Sequence, residues 1–144
     1  MDRFIEDKVT KVPVKLDGSE KKVDFNELKT GGFIKQRQKD LFTVRLRCPG
    51  GKIATDKLIG ISKIAAKYSK KSVVHLSFRQ SLEILYVDYK DFDSIVAELA
   101  EIGMKVASCG PRVRVPTACG GCEYNPNGLT DTQKMAEMVD TKFF

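Results

Sequence analysis

The chain has 144 residues, of which 42% are hydrophobic and 31% are charged, and its formal net charge is +6. This length supports one domain with a substantial core, and no apolar run approaches the ~20 residues of a membrane-spanning helix. The N-terminal stretch "MDRFIEDKVTKV" lacks the apolar centre of a signal peptide, so we predict a cytoplasmic protein whose four cysteines are reduced thiols or ligands. The positive charge favours an anionic partner, without choosing among nucleic acid, lipid and small oxyanions.

Residues 1–40 differ from the rest in composition, and we predict an N-terminal arm without a core of its own. The stretch "KVPVKLDGSEKKVDF" places an Asp-Gly turn signal between two short alternating runs, which is typical of a hairpin around Asp17 and Gly18 or of an extended arm. The following "KTGGFIKQRQKD" combines two glycines with basic side chains, and we interpret it as a loop.

Four strands and two helices are predicted between residues 41 and 109. The stretches "LFTVRLR", "SVVHLSFR", "LEILYV" and "MKVAS" are the strands. Thr55 is the expected N-cap of the first helix, Asp91 caps the second, and Gly103 ends it. The order β-α-β-β-α-β is the ferredoxin-like arrangement. We therefore predict an α+β fold in which a four-stranded antiparallel sheet carries both helices on one face.

Alternation along the first two strands divides their side chains between two faces of the sheet. The positions expected to face the helices are Phe42, Val44, Leu46, Val74, Leu76 and Phe78. The opposite, open face then carries Arg45, Arg47, His75, Ser77 and Arg79. Three arginines on an open face indicate an anionic ligand, and the alternative is an ordinary solvated surface.

Residues 110–144 begin with an extended segment and end with a helix. The stretch "CGPRVRVP" places Arg112 and Arg114 two positions apart, and therefore on one side of an extended chain. Thr130 precedes the helical stretch, and Gln133 three residues later completes a capping-box pattern.

The sequence contains four cysteines, two of them in a C-x2-C pair. Cys119 and Cys122 form this pair, but a structural zinc site needs four ligands and there is no second pair. A thioredoxin-like redox pair would stand at a helix start, whereas the predicted helix begins several residues later. Cys48 and Cys109 are interpreted as small buried hydrophobic residues.

Four stretches together resemble one known family. "GGFIKQRQKDLFTVRLRCPGG", "VHLSFRQSLEI", "GPRVRVPTAC" and "NGLTDTQ" are similar to the N-terminal half of the siroheme-dependent nitrite and sulfite reductases, above all the small dissimilatory-type members. The resemblance covers roughly residues 30–140. After the N-terminal arm (1–40), it implies a ferredoxin-like half domain (41–109) and the start of a siroheme- and [4Fe–4S]-binding region (110–144). It implies an oxidoreductase that uses both cofactors for the six-electron reduction of sulfite to sulfide or of nitrite to ammonia.

The resemblance also implies roles for individual residues. Arg47 and Arg114 match positions that hold the substrate oxyanion, and they are the expected catalytic residues. The residues expected to bind the cofactor are Arg45, Arg79, Gln80, Arg112, Lys35, Arg37 and Gln38. Siroheme carries eight carboxylates, and arginine grips carboxylates and oxyanions bidentately. We therefore expect Arg45, Arg47, Arg79 and Arg114 to converge on one concave surface.

The resemblance is incomplete at the iron–sulfur cluster, which the family holds by four cysteine thiolates. Cys119 matches the first ligand, but Asn125 occupies the position of the second, and the sequence contains no downstream pair. Either the remaining ligands lie on another part of a longer protein or on a partner chain, or the chain is a relative without the cluster. Cys122 is the candidate substitute ligand. We expect that this chain alone holds no stable [4Fe–4S] cluster and does not suffice for catalysis.

The expected partners are a sulfite or nitrite anion and either the remaining reductase portion or an electron-donor protein. A homodimer is left open, and neither nucleic acid nor a membrane is expected. One alternative function is a non-catalytic relative that binds a tetrapyrrole or anion without the cluster. Another is a ferredoxin-like nucleic-acid-binding module. An RNA-binding sheet needs aromatic side chains on its open face, whereas Phe42 and Phe78 are predicted to face the core.

Overall fold

The computed structural model describes residues 11–16 and 19–144, with side chains from residue 24 onward. The strands are β1 (Lys11–Leu16), β2 (Ser19–Asp24), β3 (Phe33–Lys35), β4 (Leu41–Arg45), β5 (Val74–Leu76) and β6 (Leu82–Asp88). The helices are α1 (Phe25–Thr30), α2 (Thr55–Tyr68), α3 (Phe92–Glu101), α4 (Gly121–Tyr124) and α5 (Thr132–Phe143). None of the helices in the described ranges is long and apolar enough to cross a membrane.

Of the two predicted alternatives, a hairpin or an extended arm, the first two strands form the hairpin, as a separate two-stranded sheet. β1 pairs antiparallel with β2, from Lys11 opposite Asp24 to Leu16 opposite Ser19. The predicted turn residues, Asp17 and Gly18, lie outside the described residues.

The predicted ferredoxin-like α+β fold is confirmed by a four-stranded antiparallel sheet in the order β3-β4-β6-β5. α2 and α3 contribute to one core together with the inward side chains of the strands, so both helices cover the same face. The buried members of this core that come from β4, β6 and the two helices are Phe42, Val44, Leu82, Ile84, Val87, Ile61, Ile64, Ala65, Phe92, Ile95 and Leu99. Ile84 and Val87 both face inward although they are three residues apart, because Tyr86 between them has a φ of 58° and the register shifts there.

The edge strand next to β4 differs from the predicted one. Residues 33–35, interpreted as loop, form β3, whereas "MKVAS" forms no regular strand. The latter segment makes one bridge, between Val106 and Leu46, because β3 already occupies the first part of the β4 edge. Gly32 lies where the two segments meet, with a φ of 88°, and a Cβ there would overlap the carbonyl oxygen of Ala107.

The strand carrying Phe78 is shorter than predicted, and the expectation that Phe78 faces the core is wrong. β5 ends at Leu76, and residues 77–81 form a tight turn in which the N–H of Gln80 donates to the carbonyl of Ser77 over 3.0 Å. Alternation stops at this turn, and Phe78 is 96% exposed. Leu76, the last residue of β5, is 77% exposed, so the expectation that it faces the core is also wrong. Phe42, by contrast, lies in the core as predicted.

Three of the predicted helix boundaries shift or lack their expected bonds. Thr55 was the expected N-cap of α2 but is the first residue of the helix. The N-cap of α2 is Ala54, which offers no side-chain acceptor. Asp91 is the N-cap of α3 but makes no side-chain capping bond. At α5 the Thr130–Gln133 capping box is wrong, because Asp131 accepts the hydrogen bond from the N–H of Lys134.

Candidate functional site

Three of the four expected arginines come together in one shallow pocket. Arg45, Arg79 and Arg114 line it with Ser81 and Ser108, around a volume of about 10 Å³. They come from β4, from the turn after β5 and from the extended segment beyond residue 109. We refer to these five residues as the arginine pocket.

Arg45 is oriented by carboxylate and sulfur acceptors. Its Nε and Nη2 each lie 2.8 Å from Oε1 of Glu83, which stands opposite Arg45 in the β4–β6 register. The Oε2 of Glu83 lies 2.9 Å from Nδ1 of His75. Nη1 of Arg45 lies 3.5 Å from Sγ of Cys109. Glu83 offsets one of the three pocket guanidinium charges, which leaves two.

Arg79 and Arg114 make fewer contacts through their guanidinium groups than Arg45 does. Within residues 24–144, neither side chain forms an ion pair. The Nη2 of Arg114 makes one long bond, 3.5 Å to the carbonyl of Gly110. Guanidinium groups without an ion pair, next to two serines, suit an anionic group that lies across the mouth of the pocket, because the enclosed volume of about 10 Å³ holds only about one water molecule.

Arg47 does not join the arginine pocket, so the expected four-way convergence fails at this residue. It is only 8% exposed. Its Nε lies 2.8 Å from Oδ2 of Asp140 and its Nη2 lies 2.6 Å from Oδ1, and the ring of Phe144 covers the guanidinium. Asp140 lies on α5, so the C-terminal helix encloses this arginine. Arg47 lines a different cavity of about 350 Å³, beside the start of α2.

Gln80 and Arg112, expected at the cofactor, are placed differently from each other. The side-chain amide of Gln80 grips the backbone of Ala118, donating to its carbonyl over 2.6 Å and accepting from its N–H over 2.8 Å. Gln80 therefore fixes the segment that leads into Cys119. Arg112 is exposed on the segment between Cys109 and Arg114.

Lys35, Arg37 and Gln38 are exposed and lie away from the arginine pocket. Lys35 pairs with Phe42 in the β3–β4 register, and Arg45 stands at the other end of β4. Three residues of strand between Phe42 and Arg45 correspond to about 10 Å. The Nζ of Lys35 lies 4.6 Å from the ring centre of Phe25.

The segment 119–131 carries Cys119 and Cys122, and we refer to it as the cysteine loop. It is held by the first two residues of α5. The Thr132 Oγ1 lies 2.8 Å from the carbonyl oxygen of Cys119 and 3.4 Å from its sulfur, so the hydroxyl can donate its one proton to the carbonyl or, once the thiolate has formed, to the sulfur. Gln133 is buried and donates to the carbonyls of Cys119 and Gly50, over 2.8 and 3.2 Å. The hydrogen bond with Thr132, followed by one from the Gly121 backbone, lowers the pKa of the Cys119 thiol.

The thiols in the described part of the chain do not fit a [4Fe–4S] cluster on their own. Cys119 and Cys122 are exposed in the loop, whereas Cys48 and Cys109 are buried as predicted. Burial raises the pKa of the Cys48 thiol, which disfavours the thiolate that iron needs. The described residues contain no group of three or more histidine, cysteine or acidic side chains that could hold a metal ion. Asn125, at the expected ligand position, uses its Oδ1 to accept from the N–H of Asn127.

Four residues that shape these sites were not assigned to them from the sequence: Glu83, Thr132, Gln133 and Asp140. Of these, Gln133 was predicted only as part of a capping box. A signal existed for Glu83, because it stands opposite Arg45 once the two strands are set in register. Asp140 carried no local signal, because it is 93 positions away from Arg47 in the sequence.

Comparison with known proteins yields one family. Residues 34–102 match the model described as the nitrite/sulfite reductase ferredoxin-like half domain. The chain is 31% identical to a coenzyme F420-dependent sulfite reductase of Methanocaldococcus jannaschii over 113 residues, 78% of this chain and 18% of that protein. It is 28% identical to a nitrite reductase [NAD(P)H] of Emericella nidulans over 103 residues, 71% of this chain and 9% of that protein. The chain thus spans less than a fifth of the length of either relative.

Solved structures show the same fold. The NirA protein of Mycobacterium tuberculosis superposes with a TM-score of 0.74 at 17% identity, covering 85% of this chain and 26% of that one. Dissimilatory sulfite reductase I superposes with a TM-score of 0.66 at 20% identity, covering 72% of this chain and 24% of that one.

Proposed function

This chain belongs to the nitrite/sulfite reductase family, and we propose that it is the part of such an oxidoreductase that grips anionic groups of siroheme and of the oxyanion substrate. The observation that carries this proposal is the convergence of Arg45, Arg79 and Arg114, from three separate segments, around one pocket. When bound, siroheme would supply the iron at which sulfite or nitrite is reduced. The cytoplasmic location remains part of the proposal.

The three arginines would divide the work of binding an anion. Arg79 and Arg114 have guanidinium donors to offer a carboxylate or an oxyanion bidentately. Arg45 is held in place by Glu83, so it would add a positive charge in a fixed position without a full set of free donors. Gln80 acts on the backbone of Ala118, and we assign it a positioning role toward the cysteine loop instead of direct contact with the cofactor.

Arg47 would reach a substrate oxyanion only after losing its present partner. Asp140 accepts from both Nε and Nη2, and so takes the place that a bidentate oxyanion would take. The proposed catalytic role of Arg47 therefore requires that the end of α5 move away from the guanidinium. Cys119 and Cys122 would supply at most two of the four thiolates of a [4Fe–4S] cluster. The other ligands would come from another part of the reductase or from a partner chain.

The arginine pocket can be tested by siroheme titration followed by absorbance. A charge-assisted hydrogen bond contributes about 1.5–3 kcal/mol, so Arg114→Ala and Arg79→Ala should each weaken binding by about tenfold or more. Lys63→Ala is the matched control, because it removes the same charge from an exposed position on α2. A second titration, with sulfite and calorimetric detection, separates substrate binding from cofactor binding.

Equal affinities for Arg114→Ala and Lys63→Ala would show that the pocket is only a solvated charged surface. The exposure of Phe78 removes one argument against a nucleic-acid-binding module, so single-stranded RNA is a necessary third ligand in this series. Saturable RNA binding that Phe78→Ala abolishes, together with no siroheme binding, would replace the reductase proposal by that alternative.

A further inference from the structure

One carboxylate joins the arginine pocket to the only histidine of the sequence. Glu83 lies on β6, with Arg45 opposite it on β4 and His75 opposite it on β5. Its Oε1 lies 2.8 Å from Nε and Nη2 of Arg45, and its Oε2 lies 2.9 Å from Nδ1 of His75. The Glu83 side chain is only 9% exposed, so both of its oxygens are engaged by these two partners and little of it reaches water.

The contact with Glu83 decides which nitrogen of His75 can take up a proton. Glu83 pairs with Arg45 as a carboxylate, and a carboxylate only accepts hydrogen bonds, so Nδ1 of His75 carries a hydrogen and donates it to Oε2. In the neutral ring the other nitrogen, Nε2, then has a free lone pair. The His75 side chain is 54% exposed. A proton from solvent can therefore add to Nε2 while the contact with Glu83 stays in place.

The protonation state of His75 changes the charge that faces an anion at the mouth of the arginine pocket. Arg45, Arg79 and Arg114 supply three positive charges. Glu83 offsets one of them, so the group carries +2 with a neutral histidine ring and +3 with a protonated one. Two strand spacings separate His75 from Arg45 across the sheet, which is about 10 Å. This is about one Debye length at moderate salt, so the histidine charge still acts on an anion there.

The other titratable groups next to β5 and the pocket are engaged elsewhere or buried. In the segment before β5, Lys70 lies 3.6 Å from Asp88, and the Nζ of Lys71 lies 4.5 Å from the ring centre of Tyr86. Cys109, beside the pocket, is buried. The helices α2 and α3 cover the other face of the sheet. Histidine is the side chain whose ordinary charge change lies near neutral pH, so the ring on β5 is the group that alters the charge of this site.

We propose that the arginine pocket takes up a proton together with its anion, and that His75 holds this proton at Nε2. The inference rests on the proposed function, because it concerns the same anion site. The proton comes from solvent, and no other bond forms or breaks. Glu83 is the positioning residue, since it holds both the histidine ring and the Arg45 guanidinium. Reduction of nitrite or sulfite consumes protons as well as electrons, so a proton held beside the oxyanion suits that chemistry.

Sulfate is the probe, because it is an oxyanion whose own charge does not change near neutral pH. Its binding is followed by the NMR signals of His75, the only histidine in the sequence. We expect sulfate to bind about threefold to tenfold more tightly at about pH 6 than at about pH 8. Calorimetry in two buffers with different enthalpies of protonation should show proton uptake on binding. His75→Gln should remove both effects, whereas Lys63→Gln, exposed on α2, should keep them.

The outcomes separate this inference from the proposed function. Sulfate that does not bind, or whose proton uptake persists in His75→Gln, would overturn the inference, even where siroheme still binds and Arg114→Ala weakens it. A neutral histidine ring with its hydrogen on Nε2, seen in long-range ¹H–¹⁵N spectra, would also overturn it. Proton-coupled sulfate binding that Arg114→Ala abolishes, in a protein that binds no siroheme, would support the inference and overturn the siroheme part of the proposed function.

Discussion

Arg45 and Arg47 stand two positions apart, at the last residue of β4 and just beyond it, yet their surroundings differ. Arg45 takes its carboxylate partner from the neighbouring strand, where Glu83 lies opposite it in register. Arg47 takes its partner from α5, where Asp140 closes over it. Their side chains are 19% and 6% exposed. Glu83 lies in the sheet and leaves the guanidinium of Arg45 at the rim of the arginine pocket. Asp140 lies on a helix that covers Arg47 and encloses its guanidinium.

Removing Asp140 should have the largest effect on stability. Asp140→Ala leaves the buried charge of Arg47 without its partner, and we expect the free energy of unfolding in urea to fall by about 3 kcal/mol. Glu137→Ala removes an exposed carboxylate one turn earlier on α5 and should change it by less than about 0.5 kcal/mol. The double variant Arg47→Met/Asp140→Ala should recover part of the loss, because no unpaired charge remains buried.

If Asp140→Ala and Glu137→Ala are equally stable, Arg47 is not enclosed by α5 in solution. The comparison between the two arginines would then fail, and Arg47 would be available to an oxyanion without any movement of the helix.

The sequence predicted the architecture because the signals for it are local. Alternation marked β4, periodicity marked α2 and α3, and Gly103, with a φ of 66°, marked the end of α3. The misplacing of Phe78 has a physical reason, since alternation says nothing about where a strand ends. The strand was predicted to end at Arg79 but ends at Leu76, and this three-residue error moved a large aromatic side chain from the predicted core to the surface.

Gln133 bears on the enclosure of Arg47, because it holds the start of α5 in place and the other end of α5 covers Arg47. Its side chain is buried and donates to the carbonyls of Gly50 and Cys119. Gln133→Ala removes both donors, and we expect a loss of about 2 kcal/mol in urea unfolding. Lys134→Ala, at the next and exposed position, is the control. A loss no larger than that of the control would mean that α5 docks without this residue.

Neutralising Glu83 should cost less than removing Asp140. Glu83→Gln keeps the shape of the side chain but weakens its contacts with Arg45 and His75, and we expect a loss of about 1 kcal/mol. Arg45 reaches water at the rim, so its charge can be solvated. Urea unfolding of both variants in one buffer measures the difference. A cost for Glu83→Gln above that for Asp140→Ala would reverse the comparison.

The convergence of Arg45, Arg79 and Arg114 could be predicted from the order of the strands, whereas the enclosure of Arg47 by α5 could not. The first three lie on segments that the fold itself brings together. The position of Asp140 depends on how the segment 110–131 crosses the molecule, and this path is set by contacts such as Gln80 with Ala118. Side-chain to backbone bonds of this kind have no periodic signature in a sequence.

The smallest predicted effect concerns the start of α5, where Thr132 contacts the Cys119 thiol. The hydrogen bond from Thr132 is the main cause of the lowered pKa of Cys119, so the thiolate should form at a lower pH than in an ordinary thiol. Thr132→Val removes that bond and should move the midpoint of alkylation by iodoacetamide to higher pH, because the thiolate is the reacting species. At any pH below the new midpoint, the variant should therefore react more slowly than the parent. Both proteins should carry Cys122→Ser, which leaves Cys119 as the exposed thiol among the four cysteines. Thr130→Val is the matched control, and if its midpoint equals that of Thr132→Val, the Thr132 hydroxyl does not tune Cys119.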